Sequence, residues 1–95
     1  MTRGEREAAV DWFAEQMKAK LREPRNEAKG GWREDPPSAL RWRLLEEVSE
    51  LNRAMNQPAS SEEPIDFDGI VSECCDVSNF AMMIADRLRM LKEGT

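Results

Sequence analysis

Residues 66–92, DFDGIVSECCDVSNFAMMIADRLRMLK, decide the fold. At about 100° per residue, Ile70, Val77, Ile84, Leu88 and Leu91 fall along one stripe of a helix. Asp66 is of the residue type that caps a helix N-terminus, and the pattern predicts a helix from there to about Lys92. Met82, Met83 and Met90 lie on other faces, so the helix is apolar nearly all round and is expected to be central or covered by a partner. Glu73 breaks the pattern. It lies within the apolar stripe, with Asp76 one turn further on, where charged side chains do not normally sit.

Working outward, Leu40, Leu44, Val48, Leu51 and Met55 make a second stripe, with Glu47 beside it. Asp35 followed by Pro36 reads as an N-cap and a first-turn proline, opening a helix that ends at about Met55 or Gln57. Over residues 5–22, Val10, Phe13, Ala14, Met17 and Leu21 form one face of an amphipathic helix, which Pro24 ends. The segments EPRNEAKGGWRED (23–35) and NQPASSEEPID (56–66) hold glycines or prolines and no sustained period, and read as loops. No segment alternates like a strand, and no internal repeat is visible. The expected fold is an all-α helical bundle, one domain over residues 1–95, with three main helices per subunit.

A chain of 95 residues buries only about 60–65% of its unfolded surface when it folds. Completion of the core by a second copy, and so an oligomer, is therefore expected. Trp12 and Trp42 project away from the stripes of their own helices and are the candidate subunit contacts. No run approaches the roughly 20 apolar residues that span a bilayer, and no signal-peptide profile is present; a cytoplasmic location without membrane contact is expected. Cys74 and Cys75 are adjacent, lack metal-binding spacing and have no histidine to join them, so they read as reduced thiols.

The net charge of −5 argues against a nucleic-acid polymer as partner, but the charge is unevenly placed. Residues 18–43 carry eight Lys/Arg against four Asp/Glu, a balance of +4, and the remainder carries −9. An acidic cluster beside a basic segment suits a polyphosphate. Within the second helix Glu46, Glu47 and Glu50 are spaced to converge on one edge. Packing the two stripes together would bring them to a boundary with Glu73 and Asp76. Arg43 can neutralise part of this charge, but not five carboxylates. A divalent ion that prefers oxygen ligands and also binds phosphate answers the need: Mg²⁺, with Mn²⁺ as an alternative.

Other motifs carry less. Asp66-Phe67-Asp68-Gly69 lacks the remainder of a calcium loop, and Gly30-Gly31 lacks the frame of a phosphate-binding loop. With no histidine in the chain, a serine or cysteine nucleophile would lack its usual base, so hydrolysis would rest on metal-activated water.

Three segments in order, K-G-G-W-R-E (Lys29 to Glu34), L-L-E-E-V-S-E-L (Leu44 to Leu51) and E-C-C-D-V-S-N-F-A-M-M-I-A-D (Glu73 to Asp86), resemble the MazG-like branch of the all-α nucleoside triphosphate pyrophosphohydrolases, over residues 13–90. The resemblance implies dimers or tetramers of helical bundles that hold Mg²⁺ and cleave a nucleoside triphosphate between its α- and β-phosphates. It implies Glu47, Glu50, Glu73 and Asp76 as metal ligands, with Glu46 as general base or ligand to a further Mg²⁺. Asn79 would contact the nucleotide, and Lys29, Arg33 or Arg43 would balance phosphate charge. Trp32 would either stack on the base or cover the end of the core. The alternatives are a pyrophosphatase acting on another phosphate anhydride, and a non-catalytic helical module that dimerises or caps a partner, its metal site structural or lost.

Overall fold

Thr2 opens the first helix through a reciprocal cap. Its hydroxyl accepts from the Glu5 N–H and the Glu5 carboxylate accepts from the Thr2 N–H, each at 3.1 Å, so N–H groups that the helix cannot satisfy internally find partners. In the computed structural model, which describes residues 1–27, 31–56 and 64–94, four helices follow: α1 Arg3–Leu21, α2 Pro24–Glu27, α3 Pro37–Met55 and α4 Phe67–Lys92. The chain is all-α, with no strand among the described residues.

Two local expectations are corrected. Pro36, not Asp35, is the N-cap of α3, and Pro37 is its first helical residue. The cause is the double proline: a residue before proline is pushed out of the helical region, and Pro36 is extended, with ψ 143°. Within the segment read as a loop, Pro24 begins the single turn of α2, using proline's tolerance at the first helical position.

Asp66 does cap α4, accepting from the Gly69 N–H at 2.9 Å. A Cβ at position 69 would run into that carboxylate, so the cap and the glycine belong together. Replacing Asp66 with alanine is expected to cost about 1 kcal/mol, read in thermal melts as a fall of about 4–8 °C for a domain of this size.

Helix α4 is the central element. Both α1 and α3 pack on it, and their own backbones do not approach each other. The interior is small: Leu40 at 3% exposure and Cys75 at 2% are the buried apolar residues among those described. Both cysteines are free thiols. Residues 1–12 are exposed throughout, and burial in α1 starts at Phe13. Val10, Val48, Met55, Leu88 and Leu91 therefore lie on the surface despite belonging to their stripes, as do Trp12 and Trp42 at 54% and 61% exposure. The radius of gyration, 15.7 Å, exceeds the roughly 12 Å of a compact domain of this length. Among the described residues, no helix is long and apolar enough to cross a membrane.

Candidate metal centre

The packing of α3 on α4 brings acids from the two helices to one place. Glu47 of α3 and Glu73 and Asp76 of α4 each present a carboxylate oxygen within 4.8 Å of the others. Spacing explains the pair on α4, since residues three apart share a helix face. Glu47 joins them because it lies between Leu44 and Leu51 on the half-buried side of α3. Glu47 Oε2 and Glu73 Oε2 are buried with no hydrogen-bond partner among the described residues.

Electrostatics records the strain of this arrangement. Burial pushes the Glu47 carboxyl up from 4.5 to about 7, helped by a hydrogen bond shared with Glu50 and by the charges of Asp76, Glu50 and Glu73. Glu73 is raised by burial and then by Asp76 and Glu50. Asp76 is raised by burial too, against the opposing pull of Lys20. Carboxylates that resist ionisation would be relieved by a cation among them.

The oxygen set fits a hard divalent ion. Glu47, Glu73 and Asp76 each offer a carboxylate oxygen within 4.8 Å of the others, and such oxygens are the ligands that a hard divalent ion would take. Comparison with known proteins offers no independent guide. No family model, curated protein or solved structure matches this chain.

The cluster lines an open cavity of about 720 Å³, within the usual range of roughly 300–1,000 Å³ for small-molecule sites. Glu50, Asn79, Arg43 and Trp32 line it as well. Asn79 is 3% exposed, and its amide donates to the Met17 carbonyl at 3.2 Å. A carbonyl only accepts, so Met17 fixes which end of Asn79 is which. Asn79 Oδ1 is left buried and without a partner among the described residues, free to accept from a donor in the cavity. The Arg43 guanidinium lies 5.2 Å from the Phe80 ring centroid, while its Nε pairs with Glu46 at 3.4 Å.

Not every expected residue arrives. Glu46 is exposed, faces Arg43 and does not line the cavity. Arg33 is not among the lining residues; its Nε is 3.2 Å from Asp86 Oδ2. Lys29 falls outside the described residues. Trp32 lines the cavity and donates from Nε1 to Asp86 Oδ2 at 2.9 Å.

Two residues, one beside the site and one in it, make contacts that have no local signal in the sequence. Asp86 gathers Trp32, Arg33 and Arg89, and the Trp32 N–H and Arg89 hold its carboxyl below the usual range. One residue on, Arg87 donates to the Asp35 carbonyl at 3.0 Å, so α4 grips the segment carrying Trp32 at both ends. The other is Lys20, which reaches the acid cluster from α1.

Proposed function

We propose that this chain is a metal-dependent pyrophosphohydrolase of nucleoside triphosphates, of the MazG-like all-α kind. The observation that carries the proposal is the convergence of Glu47, Glu73 and Asp76 within 4.8 Å, two of them with orphaned buried oxygens, in a cavity bordered by Arg43 and Trp32. Glu47, Glu73 and Asp76, with Glu50 beside them, would hold Mg²⁺, with Mn²⁺ the alternative. The ion would supply activation of water and neutralisation of phosphate charge.

The chain's own groups do the rest. Arg43, placed against Phe80, meets the charge that develops on the departing pyrophosphate. Asn79 Oδ1 accepts a hydrogen bond from the nucleotide, and Trp32, fixed through its N–H, offers a ring face at the cavity. Glu46, the expected base, pairs with Arg43 outside the cavity lining and would have to leave Arg43 to act on the water. In the reaction the oxygen of water bonds to one phosphorus, the bridging P–O bond between the α- and β-phosphates breaks, and monophosphate and pyrophosphate leave.

The test is a panel of nucleoside triphosphates with Mg²⁺ and with chelator. Pyrophosphate is expected as the first phosphorus product, only with Mg²⁺; orthophosphate appearing first would overturn the α–β assignment.

We further propose a homodimer or homotetramer, because Trp12, Trp42 and the first half of α1 are exposed, with no cover among the described residues. Sedimentation at micromolar concentration should show no monomer, and a stable monomer there refutes this part. The same exposed surface supports the second reading, a helical interaction module with a structural or lost metal site. An oligomer that turns over no triphosphate in the panel would decide for it.

A further inference from the structure

We infer that Lys20 is the resident counter-cation of the acid cluster, yielding Asp76 when a divalent ion binds and turning to the phosphates of the substrate. The inference rests on the metal-site reading above and extends it to a residue of a third helix. Lys20 Nζ donates to Ser72 Oγ and stands 3.6 Å from Asp76 Oδ2. Ser72 and Asp76 are one turn apart on α4, so they form a two-point seat for the ammonium.

Burial separates this pair from the other ion pairs among the described residues. The Lys20 side chain is 12% exposed, whereas the cations of the remaining pairs keep half or more of their surface in water. An ammonium withdrawn from solvent is costly unless paired, and here the partner is a carboxylate of the cluster. A divalent ion on the same carboxylates would place like charges side by side. Lys20 has somewhere to go: it also lines the cavity, and its four-carbon stem lets the ammonium move without displacing α1. Phosphates entering the cavity would then hold it by charge.

The experiment is Mn²⁺ titration of the full chain by electron paramagnetic resonance, first without nucleotide, for wild type, Lys20→Met and Lys20→Arg. Lys20→Met should bind Mn²⁺ about tenfold more tightly, within the usual range of coupling between neighbouring sites, while Lys20→Arg, which keeps the charge, stays near wild type. In saturating Mn²⁺, Lys20→Met should bind a nucleoside triphosphate analogue that resists α–β cleavage about tenfold more weakly, at the same scale of coupling. A folded Lys20→Met with unchanged or weaker Mn²⁺ affinity overturns the inference, and so does unchanged affinity for the analogue. Wild type that binds no Mn²⁺ sinks the metal reading beneath it instead.

If Lys20→Met does not fold, wild type alone decides. Mass spectrometry after lysine acylation should show Lys20 modified faster in Mg²⁺ than in chelator, with exposed Lys18 and Lys92 unchanged. Equal Lys20 rates in the two conditions overturn the inference.

Discussion

Glu73→Gln is expected to lower Mg²⁺-dependent pyrophosphate release by about a thousandfold. On the proposed reading Glu73 is one of three carboxylates whose oxygens already lie within 4.8 Å, and its Oε2 has no other hydrogen-bond partner among the described residues. The substitution keeps the shape and removes the charge. A bound metal contributes several kcal/mol to the transition state, and each 1.36 kcal/mol is tenfold in rate, so losing a ligand reaches the thousandfold scale without unfolding the protein. Folding is separately checkable: in chelator the variant should melt no lower than wild type, because it loses an acid that burial already keeps from ionising freely. Glu46→Gln is the informative companion. Glu46 lies outside the cavity, paired with Arg43, and full activity in that variant would remove it from the role of base. Full activity in Glu73→Gln would end the metal-centre reading.

What was legible in advance depended on whether the relevant interaction is local. The facing of Glu73 and Asp76 follows from a spacing of three on any helix, and Glu47 follows from its place beside the stripe of α3. Their meeting required only that the two stripes pack, which they do. The start of α3 was legible in part: the prolines marked it, but Pro36 before Pro37 moves the first helical residue one place on. Lys20 was not legible. It follows the apolar position of Met17 by three residues and precedes Leu21, a place from which lysines ordinarily extend along a helix edge toward water. Only the docking of α1 on α4 sets its ammonium on Ser72 and Asp76, 52 and 56 positions away in sequence. Asp86 was hidden for the same reason, since its partners Trp32 and Arg33 come from the segment before α3. Periodicity also overstated the interior. It assigns Val10, Val48 and Leu88 to apolar faces, and their exposure follows from α1 and α3 each having α4 as their main neighbour.

The metal-free protein should lose stability as pH rises, and Glu47→Gln should remove much of that loss. Glu47 titrates at about 7 in the folded chain against an ordinary value of 4.5, so between those values the folded state holds a proton that the unfolded state has released. Stability then falls as pH rises. The contribution is fully present below pH 4.5 and is lost by the time pH has passed through about 7. Glutamine keeps the volume and cannot ionise. In chelator at pH 8 the variant should therefore be more stable than wild type by about 2 kcal/mol, a figure reduced from the full shift because the group is partly solvated. At about 4–8 °C per kcal/mol for a domain this size, the difference is easily read in a thermal melt. Near pH 4.5 the two proteins should melt together. A residual slope should persist in the variant, since Glu73 and Asp76 are raised as well. Mg²⁺ at pH 8 should close or reverse the gap: an ion at 100 times its dissociation constant stabilises wild type by about 2.7 kcal/mol, and the variant has lost a ligand. Parallel pH profiles for the two proteins in chelator would place Glu47 in ordinary solvent contact and remove the physical reason for a cation at this cluster.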